Sequence, residues 1–442
     1  MNNISRRRLM QTAGVAALAT PAAHGLTMPG PHYEGKDTPK ICLGVGDGGF
    51  GGGGRGGAPA GPGGAPGATP GGAAPGGTPG APAAIAPGGT AATGAPGAAP
   101  AAGGPGRGQG GVNEASARRI KQLGVDYVLS GGGRIPWEES RLRTQVDGLK
   151  ALGLTLGNLM ISGFDNAIYG REGRDEEIEK VIASIQAAGK VGLPVVEYNW
   201  YAHRAMEGYF EETGRAGAGW TGFDYELEQT AAQQYQTRQD EKGKKFKDLP
   251  ALPNEGAHTL DEMWATITYF LKKVIPEAEK AGVRLALHPN DPPAPISRGS
   301  QQIMGSVEGW KKLIEIVKSP ANGITFDCGV TREMGQDPVD VCHYFASRDR
   351  INHVHFRNVK VKKAYERYSE VFIDEGENNL FAVMRELVKA KYTRLVYPEH
   401  PRALDYDRDR GRIGGYPGGG GYAAYAFNVG YARAMMQAAL SV

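Results

Sequence analysis

Four mainly apolar stretches of this chain end at a side chain that can bind a metal ion. They are VRLALH, ending at His288, NGITFDC, ending at Cys328, INHVH, ending at His355, and TRLVYPE, ending at Glu399. Two imidazoles, one thiolate and one carboxylate are a suitable ligand set for a divalent metal. A lone histidine or cysteine at such a place is usually structural, but four at matching positions predict one shared site. His400 follows Glu399 directly and is a candidate for proton transfer there.

These side chains can meet only if the stretches that carry them lie side by side. Eight apolar runs, rich in β-branched residues and without strict alternation, are separated by amphipathic helical patterns. This pattern is typical of a parallel sheet covered on both faces. It predicts an α/β fold, a TIM (β/α)8 barrel, whose strands point their C-terminal ends at one mouth. The runs begin at Lys40, Gly124, Gly153, Leu193, Val283, Asn322, Ile351 and Thr393.

A doubly wound open sheet is the alternative architecture. Such a sheet normally has a glycine-rich phosphate loop between a strand and a helix. The segment GVGDGGFGGGG, from Gly44, is rich in glycine, but no helix is predicted to begin there. The barrel is therefore the favoured prediction.

Polar side chains around the same strand ends are candidates for holding a substrate. Arg357 can pair with a carboxylate of the substrate, or equally with one of the protein. Tyr198 and Asn199 either line the wall of the site or pack in the core. The complete set of candidates is Tyr198, Asn199, Asn290, Asp291, Arg298, Arg357 and Asn358.

The bulk composition excludes some classes of function. The formal net charge of the 442 residues is +3, and the adjacent Arg6, Arg7 and Arg8 account for it. A neutral body without a basic stripe argues against nucleic acid as the main partner. Three widely spaced cysteines do not form a disulfide framework. No apolar stretch is long enough to predict a membrane span, and a homo-oligomer is compatible with the sequence.

Two segments are predicted to lie outside the folded barrel. The N-terminal SRRRLMQTAGVAALATPAA resembles a twin-arginine export signal that ends near Ala23, which predicts a periplasmic protein. If the signal does not function, the protein is cytoplasmic. Residues 24–39 form a lead-in to the barrel domain, residues 40–442. Within that domain, residues 51–111 are almost purely Gly, Ala, Pro and Thr and predict a disordered insertion after the first strand.

Several motifs resemble those of the D-mannonate dehydratase family. They are YNW at Tyr198, HPNDPP at His288, FDCG around Cys328, HFRNV at His355, PEH ending at His400, and GYPGGGGYAAYAFNVGY near the C-terminus. The resemblance covers residues 111–442 and the first strand. It implies a Mn²⁺-dependent, sometimes Fe²⁺-dependent, lyase that converts D-mannonate to 2-keto-3-deoxy-D-gluconate.

The resemblance also implies roles for individual residues. His288, Cys328, His355 and Glu399 would bind the metal. His400 and a C-terminal tyrosine, either Tyr422 or Tyr425, would handle protons. The family usually has aspartate where this chain has Glu399 and Asn290. Two further functions remain open, a metal-dependent sugar isomerase or epimerase on the same barrel and a non-catalytic exported sugar-binding protein.

Overall fold

A computed structural model describes residues 34–45, 112–230, 239–411 and 416–442 of the chain. The predicted signal peptide, residues 1–23, and the predicted insertion, residues 51–111, lie outside these ranges. Residues 46–111 separate the first strand from the first helix along the chain.

The described residues include fourteen β-strands. They are β1 (Lys40–Gly44), β2 (Tyr127–Gly131), β3 (Thr155–Ile161), β4 (Val195–Tyr198), β5 (Tyr209–Thr213), β6 (Gly219–Asp224), β7 (Arg284–Leu287), β8 (Ile296–Ser297), β9 (Ser300–Gln301), β10 (Asn322–Asp327), β11 (Ile351–His355), β12 (Val359–Lys363), β13 (Arg367–Glu370) and β14 (Leu395–Tyr397).

Eight of these strands close into a parallel barrel. Their order around the barrel is β1-β14-β11-β10-β7-β4-β3-β2, so each strand lies beside its predecessor in the barrel and β14 closes against β1. In the register, Asp327 faces His355 and His355 faces Tyr397. All eight predicted runs supply one barrel strand each, and the prediction of a TIM barrel is confirmed.

Helices surround the barrel. They are α1 (Glu114–Gln122), α2 (Glu139–Ala151), α3 (Asp165–Tyr169), α4 (Arg174–Lys190), α5 (Leu260–Ala281), α6 (Val307–Ile316), α7 (Cys328–Glu333), α8 (Pro338–Ala346), α9 (Leu380–Lys389), α10 (Asp405–Arg408) and α11 (Tyr422–Leu440). Short 3-10 turns occur at Met206–Gly208, Arg215–Gly217, Gln239–Glu241 and Phe246–Asp248.

Helix α5 shows how the sequence defines these boundaries. Thr259 accepts a hydrogen bond from the backbone of Glu262, and the Glu262 side chain accepts one from the backbone of Thr259. This reciprocal cap satisfies two amides that the first turn leaves without partners. Gly282 ends the helix with φ = 69°, a conformation that glycine adopts at little cost. Among the described helices, none is both long and apolar enough to cross a membrane.

A second sheet, which the sequence analysis did not predict, accompanies the barrel. It is antiparallel, with strand order β12-β13-β6-β5. Strands β5 and β6 follow β4 along the chain, and β12 and β13 follow β11. Its aromatic residues form a separate small core with residues of the neighbouring loops: Ala205, Tyr209, Phe223, Phe246, Leu249, Ala294 and Tyr368. We call this four-stranded sheet the bridging sheet.

Candidate metal centre and active site

Four side chains meet at the C-terminal ends of neighbouring barrel strands. His288 follows β7, Asp327 ends β10, His355 ends β11, and Glu399 follows β14 by two residues. One ligand atom from each lies within 4.8 Å of those of the others. The His288 Nε2 and His355 Nδ1 atoms are 3.1 Å apart, and His355 Nδ1 lies 2.8 Å from Glu399 Oε1. We call these residues the four-donor group.

The structure corrects the expected membership of this group. The sequence analysis placed Cys328 in it, whereas the structure places its neighbour Asp327 there. The reason is strand alternation, because successive side chains of a strand point to opposite faces. Thr325 Oγ1 donates to Glu197 Oε1 inside the barrel (3.1 Å), and Asp327 is two residues further on the same face. Cys328 begins α7 and is fully buried within the main hydrophobic core.

A hydrogen bond orients His288, and a carboxylate lies beside the outer nitrogen of His355. His288 Nδ1 lies 2.7 Å from the carbonyl oxygen of Pro289, so Nδ1–H donates there and the Nε2 lone pair points at the four-donor group. His355 Nε2 lies 3.4 Å from Glu197 Oε1, on the side away from the group. Asn158 Nδ2 donates to the other oxygen of Glu197 (3.0 Å). Such outer partners orient metal-binding imidazoles in proteins.

The surroundings of the group are rich in carboxylates. The buried Arg357 guanidinium lies 3.1 Å from Asp327, 2.7 Å from Glu333 and 3.4 Å from Glu399. Burial raises the pKa of Glu333 well above its ordinary value. Burial acts in the same direction on Glu399, but the charges of His355 and His400 outweigh it and lower the pKa of Glu399 well below its ordinary value.

The donor set fits a divalent cation. Glu399 Oε1 is buried and has no hydrogen-bond partner of good geometry among the described residues, although it lies 2.8 Å from His355 Nδ1. Ligand atoms held about 2.0–2.2 Å from one cation are separated by spacings of this size. Two imidazoles with two carboxylates suit iron or manganese. His288, Asp327, His355 and Glu399 could therefore hold such an ion between them.

A second group of side chains, which can move protons, lies beside the first. His400 Nδ1 lies 2.8 Å from Glu370 Oε2, and His400 Nε2 lies 3.5 Å from Glu399 Oε2. Burial lowers the pKa of His400, but Glu370 and Glu399 outweigh it and raise the pKa. His400 has φ = 47°, an uncommon left-handed conformation that functional residues often adopt.

The tyrosine beside His400 is Tyr416. The centroids of the two rings are 4.7 Å apart, and the Tyr416 hydroxyl accepts a hydrogen bond from Arg204 Nη2 at 2.9 Å. The sequence analysis expected Tyr422 or Tyr425 here. Tyr422 instead donates to the carbonyl oxygen of Arg119 (3.4 Å), and the Tyr425 hydroxyl lies 3.2 Å from that of Tyr397. Both lie in the first turn of the outer helix α11.

Two of the predicted substrate-binding residues, Asp291 and Arg357, lie beside these two groups of side chains. Asp291 Oδ1 accepts a hydrogen bond from the Tyr209 hydroxyl (2.7 Å) and forms a potential ligand group with Glu370 and His400. Arg357 pairs with protein carboxylates, as described above, which favours the salt-bridge alternative for this residue.

The remaining predicted residues have structural contacts. Arg298 is enclosed by Glu207 and Glu241, each 2.7 Å away. The Asn290 side chain accepts a hydrogen bond from the Met304 amide (2.8 Å), and Asn358 donates to the carbonyl oxygen of Ile373 (3.0 Å). Tyr198 is buried against Phe270 of α5, on the helix side of its strand. Asn199 Nδ2 lies 3.8 Å from the Met160 sulfur.

Several residues of the site were missed from the sequence. Side chains two residues apart on a strand point to the same face, so counting by two from Thr325 would have indicated Asp327. Tyr416 lies in the GYPGGGG motif that was recognised, although another tyrosine was chosen. Glu370 ends β13 of the bridging sheet, which was not predicted. Arg204 follows β4 by six residues, and no other feature of the sequence indicated that it belongs to the site.

Comparison of the sequence with known proteins finds a matching family model and related proteins. A sequence model of D-mannonate dehydratase (UxuA) matches residues 108–440. Mannonate dehydratase of Streptococcus equi subsp. zooepidemicus is 29% identical over 248 residues, covering 54% of this chain and 68% of that protein. The enzyme of Thermotoga petrophila is 26% identical over 324 residues, covering 67% and 88%.

A solved structure supports the same fold. The crystal structure of mannonate dehydratase from Streptococcus suis serotype 2 aligns with a TM-score of 0.61 at 23% identity. The alignment covers 74% of this chain and 91% of that structure.

Proposed function

The chain belongs to the D-mannonate dehydratase family, and from this premise we propose that it removes water from D-mannonate to give 2-keto-3-deoxy-D-gluconate. The observation that carries the proposal is the four-donor group lying beside the Glu370–His400–Tyr416 cluster at one barrel mouth. The first cluster suits a cation, and the second offers two groups that can carry protons.

The proposed cofactor is Mn²⁺ or Fe²⁺, held by His288, Asp327, His355 and Glu399. When bound, the cation would act as a Lewis acid on the negative charge that develops at the substrate carboxylate. Glu197 would keep the His355 ring in the orientation that presents Nδ1, and the Pro289 carbonyl would do the same for Nε2 of His288.

The protein side chains would manage two proton transfers. One base takes the proton from C2, and the electron pair moves onto the carboxylate, which gives an enediolate. The pair then forms the C2–C3 double bond as the C3–O bond breaks, and the departing hydroxyl receives a proton from an acid and leaves as water. The resulting enol rearranges to the 2-keto acid, so no oxidant or reductant is needed.

His400 and Tyr416 are the proposed acid and base. Glu370 binds Nδ1 of His400, so the proton that is exchanged with substrate lies on Nε2. Arg204 donates a hydrogen bond to the phenol of Tyr416, and burial raises the pKa of Tyr416. At neutral pH this phenol carries a proton that it can donate.

The test is incubation of the Mn²⁺-loaded protein with D-mannonate and a panel of other aldonates. We expect formation of a 2-keto-3-deoxy acid, fastest from D-mannonate. Interconversion of aldoses and ketoses without any keto-deoxy acid would instead indicate an isomerase. Binding of sugars without any conversion would indicate the non-catalytic alternative.

Export by the twin-arginine route is also proposed, from the N-terminal residues alone. This route carries folded proteins, which suits a metal site assembled before export. Cell fractionation should find the protein in the periplasm, and changing Arg6 and Arg7 together to lysine should retain it in the cytoplasm. Cytoplasmic location of the unchanged protein would refute export.

A further inference from the structure

Arg204 is a guanidinium at the barrel mouth whose hydrogen-bonding capacity is mostly unused. Its Nε donates to the carbonyl oxygen of Asp291 (3.3 Å), and its Nη2 donates to the Tyr416 hydroxyl (2.9 Å). It makes no further hydrogen bond, and no ion pair, with the residues that the structure describes. Of its five N–H groups, three therefore remain for a ligand. Arg204 as a residue is only partly buried.

The other arginines at this mouth are already paired with carboxylates. Arg357 lies between Asp327 and Glu333. Arg298 lies between Glu207 and Glu241, and Arg402 Nη2 lies 3.1 Å from Glu370 Oε2. Arg204 differs from all three, because its two partners are a carbonyl oxygen and a phenol. A guanidinium fork matches a carboxylate in shape and charge. A carboxylate is therefore the ligand that best suits the unused N–H groups of Arg204.

The position of Arg204 relates it to the proposed reaction. Through Tyr416 it is connected to the His400 ring, which lies 4.7 Å from the Tyr416 ring. The adjacent His203 holds this segment in place, since its two ring nitrogens lie 2.7 Å from Glu255 and 3.0 Å from Glu207. The guanidinium is thus presented from a fixed backbone, as recognition of a small ligand requires.

We propose that Arg204 binds the carboxylate of the sugar acid and thereby selects aldonates over neutral sugars. This inference rests on the proposed function, because it assigns the anionic end of that substrate. Removal of the C2 proton adds negative charge to the same carboxylate. A fixed guanidinium therefore also stabilises the intermediate more than the substrate.

The experiment compares D-mannonate with D-mannonamide, its neutral amide of the same shape. Calorimetry would measure both dissociation constants on Mn²⁺-loaded protein carrying His400→Asn, which should suppress turnover. We expect D-mannonate to bind more tightly, and Arg204→Met to reduce this preference at least about tenfold. Arg204→Lys should retain part of it. Arg118→Met, at an exposed position of α1, is the matched control and should leave it unchanged.

The outcomes separate this inference from the proposed function. If Arg204→Met binds as much Mn²⁺ as the control and keeps the full preference for D-mannonate, the inference is wrong even though the protein dehydrates mannonate. If the unchanged protein converts no aldonate, the dehydratase proposal fails. Loss of the preference in Arg204→Met would then still show that this residue recognises the carboxylate.

Discussion

Asp327 lies directly opposite His355 in the register of β10 and β11, with its Oδ2 atom 3.7 Å from His355 Nδ1. This pairing places the carboxylate, rather than the neighbouring thiol, among the histidines. It also makes Asp327 the residue that best tests the four-donor group.

Asp327→Asn should lower the affinity for Mn²⁺ by at least about tenfold, because a neutral amide replaces an anionic ligand. The variant should fold, since the amide oxygen can still accept the hydrogen bond from the Val330 amide that caps α7. Metal analysis of the purified protein would check this. Cys328→Ala is the matched control one residue away and should bind metal normally. Metal loss in the control alone would place the thiol in the site.

Tyr416→Phe should lower kcat by about 10²–10⁴-fold, the usual effect of removing a group that transfers a proton. Metal content should not change, since the phenol is not part of the four-donor group. Tyr425→Phe removes the same atom from a tyrosine that contacts Tyr397 and should have little effect on kcat. Steady-state kinetics with D-mannonate would measure both variants. Equal activity of Tyr416→Phe and the unchanged protein would exclude this tyrosine from the reaction.

Glu197→Gln should weaken metal binding by about 10–100-fold although Glu197 is not in the four-donor group. The reason is that Glu197 lies 3.4 Å from the His355 nitrogen opposite to the one that faces the group. The isosteric amide preserves the packing of this buried position. Titration with Mn²⁺ would give the affinity, and thermal unfolding of the metal-free protein would show whether the fold is retained. An unchanged affinity would mean that His355 keeps its orientation without this carboxylate.

Stability should depend on pH through His203. Its pKa is about 9 in the folded protein, above the ordinary 6.5, since Glu207 and Glu255 outweigh the opposing effect of burial. A raised pKa stabilises the fold below pH 6.5, and this contribution disappears as the pH rises towards 9. It is at most about 3 kcal/mol. Urea unfolding at several pH values would show the difference between the unchanged protein and His203→Gln shrinking over this interval. A constant difference would contradict the assignment.

The barrel could be predicted from the sequence because each strand carries its own local signal. Each of the eight apolar runs became a strand, and three of the four expected donors, His288, His355 and Glu399, lie at one place. The fourth donor is Asp327 and not the predicted Cys328, because the sequence does not fix the end of β10 to within one residue. A strand boundary shifted by one position exchanges the side chain that faces the site for one that faces the core.

The proton-handling residues were harder to predict. Glu370 contacts His400 from β13, a strand that pairs with β6 although the two are far apart in the chain. The choice among the C-terminal tyrosines also depended on where α11 begins. Tyr422 is its first residue, whereas Tyr416 precedes the helix and its ring lies beside His400. Neither relationship has a local signature in the sequence.

The bridging sheet joins the segment after β4 to the segment after β11, although two other strands separate these two in the barrel wall. The site therefore has two architectural origins. The cation-binding half belongs to the wall itself, whereas the partner of His400 is delivered by loops that span the opening. Substitutions in those loops could therefore change the groups that transfer protons, and with them the choice of substrate, without changing the residues that bind the cation.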